Sequence, residues 1–176
     1  MPRQFRTVRE LIHWEYAKLI AGSATGNRAA YAFANSVYMK LNSGNLRLSQ
    51  LVEENKLLMQ SGEVCAYCGS GDALQWEHIV PRAMNGPESI DNLVLACAAC
   101  NRSKGAADPY RWYSPDRMDS IPRLVLGKLL KLLYTEYDSH GLLDSESYMR
   151  EQAVPRVKLA RIFKAQSPHG ASGRLG

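Results

Sequence analysis

The sequence predicts an α+β fold in which a small sheet and a short helix are flanked by helices on both sides. Three observations carry that expectation. All four cysteines fall in two Cys-x-x-Cys pairs, Cys65/Cys68 and Cys97/Cys100. The spacer between the pairs contains two short apolar runs of strand character. Before and after the pairs, apolar residues recur at the spacing of a helical stripe.

Residues 7–24 read as an amphipathic helix. Val8, Leu11, Ile12, Leu19 and Ile20 share one stripe, and Glu10, Glu15 and Lys18 lie largely outside it. His13 and Trp14 beside the stripe are read as packing residues. Residues 22–27 break the pattern, and a second helix over 28–41 places Tyr31, Ala34, Val37, Tyr38 and Leu41 on one side. A turn at Asn42-Ser43-Gly44-Asn45 and a third helix over 48–59 lead to the first cysteine pair. This third of the chain reads as a helical unit packed on the core that follows. Arg3, Arg6, Arg9 and Arg28 read as solvated positions, with a DNA-specificity role as the competing reading.

Four thiolates are the number that a closed tetrahedral zinc site takes, and each Cys-x-x-Cys can form a knuckle presenting both sulfurs to one ion. The spacer, Gly69 to Ala96, is longer than the roughly 15–20 residues usual in a zinc ribbon, so further structure is built inside it. Two disulfides or four unrelated thiols are the alternative. No secretory signal pattern is visible, and disulfides are rare in reducing compartments. The expectation is therefore a structural Zn²⁺ and a cytoplasmic setting.

Inside the spacer, residues 73–80 read as a strand that Pro81 stops. Residues 82–91, with Asn85, Gly86 and Pro87, read as a loop. Residues 93–95 form a second strand running into the second knuckle, and residues 101–104 open a short helix. Strand alternation sends Glu77 and His78 to opposite faces, so the strand is expected to end or twist there.

His78, Asn92 and Asn101 form the pattern H-x13-N-x8-N, with Glu77 before the histidine, Pro81 three residues after it, and Cys100-Asn101-x-x-Lys104 at the end. This pattern resembles the HNH endonuclease family, in the variant with Asn at the third position and a four-cysteine zinc. The resemblance spans about forty residues. It implies a ββα-metal nuclease core and metal-dependent cleavage of DNA phosphodiesters to 5′-phosphate and 3′-hydroxyl ends.

The residue chemistry agrees with that implication. Phosphodiester hydrolysis needs an activated water, a counter-charge for the transition state and help for the leaving oxygen. His78 is the candidate general base, since imidazole titrates near neutral pH. Glu77 and Asn101 offer a carboxylate and a carbonyl oxygen, which suit a hard ion such as Mg²⁺ or Mn²⁺. Asn92, by the resemblance, fixes the loop that carries the base. Arg82, Arg102 and Lys104 are candidate phosphate contacts, with Lys104 alternatively packing the helix. Relatives often carry Asp or His before the base and His at the third position. Glu77 is one methylene longer than Asp, and Asn101 is a neutral oxygen ligand.

After the motif, residues 106–119 read as a loop, with Tyr110, Arg111, Trp112 and Tyr113 either flanking DNA or packing on the core. Pro122 suits the first position of a helix over 123–140. Val125, Leu126, Leu129, Leu130, Leu132 and Leu133 make that helix apolar over most of its circumference, so it is buried in the core or in a homodimer. Gly141 suits its C-terminal cap and His140 its negative end. Residues 145–152 read as one or two helical turns, 154–164 as a basic-apolar segment for DNA backbone or an interface, and 166–176 as a disordered tail.

The 176 residues carry 22 Lys+Arg against 17 Asp+Glu, a net charge of +5, which fits a polyanionic partner. No apolar run is long enough to span a membrane. The expected division is a helical extension over 1–62, a nuclease core over 63–108, a helical region over 109–165 and the tail. The expected activity is DNA cleavage, by nicking or, in a homodimer, on both strands. The alternatives are a non-catalytic zinc-ribbon nucleic-acid-binding module and an RNase.

Overall fold

The computed structural model describes residues 3–48 and 63–165. The third helix expected over 48–59, beyond Leu48 itself, and the tail over 166–176 lie outside the described residues.

Helix α1 (Val8–Thr25) starts at Thr7, whose hydroxyl accepts the Glu10 N–H at 3.2 Å, and ends at Gly26 in the left-handed region. A threonine cap followed three residues later by glutamate is a helix-start signal written in the sequence. Helix α2 (Tyr31–Asn42) begins three residues later than its periodicity predicts. The cause is local: the Asn27 side chain accepts the Ala29 N–H at 2.8 Å and closes a turn, while Arg28 donates to the Asp119 and Ile121 carbonyls.

Strands β1 (Leu74–His78) and β2 (Leu93–Cys97) pair antiparallel, from Leu74 opposite Cys97 to His78 opposite Leu93. β1 is shorter than predicted because Val80 leaves the ladder; its N–H donates to the Asn92 side chain at 2.8 Å. Helix α3 (Ala98–Lys104) follows β2 directly and starts earlier than predicted, because the Cys97 sulfur caps it by accepting the Cys100 N–H at 3.4 Å. α3 packs on both strands.

Residues 106–119 are more ordered than a loop. Asp108 caps a short helix α4 (Pro109–Trp112), and Pro115–Ser120 makes a 3-10 turn. Both begin at a proline, which suits a first helical position. Tyr110 is fully buried, and Trp112 stacks edge-on against Tyr67 at 5.0 Å while its indole N–H donates to Ser103. These aromatics pack on the core and the first knuckle. Helix α5 (Arg123–Ser139) has Pro122 as its cap, outside the helix, and Gly141 just beyond its end with φ +67°. Ser145 caps α6 (Glu146–Gln152), and a 3-10 stretch, Arg156–Lys164, ends the described chain.

One apolar cluster joins these pieces. Val8, Ile12 and Tyr16 of α1 meet Ile79, Val80, Met84 and Val94 of the hairpin region, Leu129, Leu130 and Leu133 of α5, and Leu159 and Ile162. α5 packs on α1, on the turn before β2 and on the last 3-10 stretch. The helix that the sequence offers as a dimer face thus buries Val125, Leu126, Leu129, Leu130, Leu133 and Tyr137 within its own chain. Its Lys128 donates to the Ile90 and Leu93 carbonyls at 3.0 and 2.7 Å and braces the entry to β2. Leu159, Ile162 and Phe163 of the last stretch face this core, while Arg161 and Lys164 are exposed. Among the described residues no helix is long and apolar enough to cross a membrane.

Candidate active site and cysteine clamp

The sulfurs of Cys65, Cys68, Cys97 and Cys100 all lie within 4.8 Å of one another, so the two knuckles are placed to hold one metal ion. The first knuckle is stitched by Cys65 N–H to Ser70 at 2.7 Å and Gly69 N–H to Cys65 at 2.9 Å, and to the sheet by Ala66 N–H to Leu95 at 2.8 Å. The second is the β2–α3 junction itself. Burial raises the Cys65 thiol, but the backbone hydrogen bonds of Cys97, Cys68 and Tyr67 outweigh it and bring it down to about 6. Burial and then the three neighbouring sulfurs drive Cys100 the opposite way, far above an ordinary thiol. Four sulfurs this close ionise together only when a cation balances them.

At the opposite end of the hairpin, His78 is the last residue of β1. Its Nε2 lies 3.1 Å from Glu88 Oε2, which also accepts from Arg82 at 2.9 Å. Arg82 first, and then His78, hold the Glu88 carboxyl below its ordinary range. An ionised carboxylate can only accept. In a neutral imidazole, the ring nitrogen facing it would carry the hydrogen and Nδ1 the lone pair.

Asn92 is completely buried and spans the loop after the histidine. It accepts from Val80 N–H at 2.8 Å and donates to the carbonyls of Val80 and Pro87 at 2.9 and 3.0 Å. Its own carbonyl accepts from Ile79 N–H at 2.8 Å. Gly86 lies so close beneath that a Cβ there would sit 1.9 Å from the Val80 oxygen and 3.0 Å from Asn92 Nδ2. Only glycine lets the loop close over Asn92.

Glu77 points to the other face from His78 and is only 5% exposed. Lys104 pairs with its Oε1, and the Tyr67 hydroxyl donates to its Oε2 at 2.7 Å. Lys104 also donates to the His78 carbonyl at 2.8 Å. Of the two readings of Lys104, phosphate contact or packing of the helix, the buried side chain paired with Glu77 takes the packing arrangement here. Burial pulls its ammonium below the ordinary lysine range, opposed first by Glu77. Asn101 sits on α3 one turn before Lys104, partly exposed, and Arg102 is exposed beside it. Arg82 is exposed and engaged with Glu88.

Two residues of the site, Glu88 and Tyr67, escape sequence reasoning. Glu88 lies ten residues from His78 in an irregular loop, where an acidic residue carries no positional signal. Tyr67 occupies a free position of a Cys-x-x-Cys, which the spacing leaves unspecified.

A hairpin, a helix packed across it and a four-cysteine clamp at its base are the arrangement of a ββα-metal core. Residues 65–107 match the family model for HNH endonucleases. The domain is similar to the CRISPR-associated endonuclease Cas9 of Corynebacterium diphtheriae, at 49% identity over 45 residues, 23% of this chain and 4% of that protein. The chain therefore spans a small fraction of the relative it matches. No solved structure matches the chain.

Proposed function

We propose that the chain is a metal-dependent DNA endonuclease in which His78 is the general base. The observation that carries this reading is the His78 ring at the end of β1, with its Nε2 3.1 Å from Glu88 Oε2, an arrangement that leaves Nδ1 as the basic nitrogen of the neutral ring. In this mechanism Nδ1 takes a proton from water as the water oxygen attacks phosphorus, and the bond to the 3′ oxygen breaks, that oxygen taking a proton from a solvent water, leaving 5′-phosphate and 3′-hydroxyl ends. Asn92 keeps the loop behind the base from moving during the transfer. Arg82 and Arg102, both exposed, are the phosphate contacts.

Two ions fit the donor sets. Sγ of Cys68 and Cys97 are 3.7 Å apart, against about 3.8 Å for the edge of a tetrahedron with Zn–S bonds of about 2.3 Å, which supports a structural Zn²⁺. Glu77 and Asn101 are hard oxygen ligands suited to Mg²⁺ or Mn²⁺. The Glu77 carboxylate has about four lone-pair positions, so its bonds to Lys104 and Tyr67 leave lone pairs that such an ion would take. Bound there, the ion would supply counter-charge to the phosphate and the leaving oxygen. One base serves one phosphodiester, so a single copy nicks, and cutting both strands takes two sites, as in a homodimer. Free thiols and zinc fit a reducing, cytoplasmic setting.

The test is supercoiled plasmid with Mg²⁺, Mn²⁺ or EDTA, beside a labelled RNA. Wild type should convert the plasmid to nicked circles and leave the RNA intact. His78→Ala should lose roughly 10²–10⁴ in rate with zinc content and unfolding midpoint unchanged. Wild-type cutting by that variant removes His78 from the mechanism, and RNA cleavage in its place redirects the substrate assignment.

A further inference from the structure

Each half of the cysteine clamp sends one donor to the same carboxylate. Tyr67, between Cys65 and Cys68, donates to Glu77 Oε2 at 2.7 Å. Lys104 closes α3, the helix that carries Cys100 and is capped by Cys97, and it pairs with Glu77 Oε1. The same ammonium donates to the His78 carbonyl at 2.8 Å. The Lys104 and Glu77 side chains are 0% and 4% exposed. Tyr67 is further held by its edge contact with Trp112, which is bonded to Ser103 of α3.

Stability alone does not account for this arrangement. Desolvating an ammonium and a carboxylate costs about as much as their attraction returns, and an apolar pair of similar volume often does as well. What the polar version adds is direction: three hydrogen bonds set Glu77 and the His78 carbonyl relative to both knuckles.

We infer that Glu77 couples the cysteine clamp to the catalytic end of the hairpin, with Tyr67 and Lys104 as positioning residues. Its catalytic half rests on the reading of His78 as the base. On this inference a change at Glu77, which ligates no clamp metal, alters how firmly the clamp holds its ion.

The experiment measures zinc release from the full chain to a chelator, alongside kcat and KM on plasmid. Tyr67→Phe removes one hydroxyl and keeps the ring. It should release zinc about tenfold faster and cut with kcat about tenfold lower at unchanged KM, the size of effect usual for groups that orient metal ligands or bases. Lys104→Met alone strands a buried carboxylate, so the paired variant Glu77→Gln/Lys104→Met tests the same link without a buried charge. It should fold and also release zinc about tenfold faster. Wild-type zinc release in both variants overturns the coupling, whatever happens to the unfolding midpoint. Faster release together with a wild type that cuts no DNA leaves the coupling standing and overturns the nuclease reading.

Discussion

Two carboxylates flank His78, and they live in opposite surroundings. Glu77 and its partner Lys104 are 4% and 0% exposed; Glu88 and its partner Arg82 are 60% and 71% exposed. The chemistry of the pairs is alike, so the difference lies in the medium. A buried pair resists the loss of either partner, because the survivor is left charged in a poor solvent. An exposed pair contributes little to folding and is screened by salt, yet it can still orient a ring. Under the proposed mechanism the tasks around His78 divide accordingly: Glu77 is fixed within the framework, where it also offers an oxygen to the ion, and Glu88 orients the His78 ring.

The comparison breaks most visibly at Glu77. Glu77→Ala leaves the Lys104 ammonium buried without its counter-charge and should cost about 3–5 kcal/mol of stability, read as a shift in the urea midpoint. A variant as stable as wild type would mean that Lys104 reaches solvent and that the two carboxylates are not opposites. Asn92→Ala comes next. It orphans the buried Val80 N–H and two carbonyls, at about 1–3 kcal/mol for a stranded buried group, and it should lower cleavage as well because the loop after His78 loosens. An unchanged cleavage rate in a destabilised Asn92→Ala would separate loop order from catalysis.

Glu88→Gln sharpens the contrast from the other side. The unfolding midpoint should stay at its wild-type value while the cleavage rate falls about tenfold, as for other groups that orient a catalytic ligand. A lower midpoint with full activity would reverse the two assignments. The smallest effect is ionic. Raising salt to about 1 M shortens the screening length to about 3 Å, so the His78 ring signals in an NMR spectrum should drift toward those of Glu88→Gln. The amide signals around Glu77 and Lys104 should hold still. Equal drift at both would show that the Glu77 pair is open to solvent.

What the sequence determined by itself is local. Cys-x-x-Cys pairs place their sulfurs within a few residues, so the clamp is written in the spacing. Thr7 and Ser145 cap helices through bonds that reach three residues, and Gly26 and Gly141 follow helix ends for want of a Cβ. Period-two alternation separated Glu77 from His78 before any contact was known. The tertiary structure decided the rest. Whether Lys104 greets a phosphate or seals Glu77 depends on α3 lying across β1, since a lysine stem is long enough for either. The apolar circumference of α5 reads the same for a dimer face and a core helix until α1 and residues 156–164 cover it. Glu88 and Tyr67 become part of the site only through contacts across the loop and the knuckle. Hydrogen bonds within a turn follow from neighbouring residues, but burial is a property of the whole packed chain, and burial is what separates the Glu77 pair from the Glu88 pair.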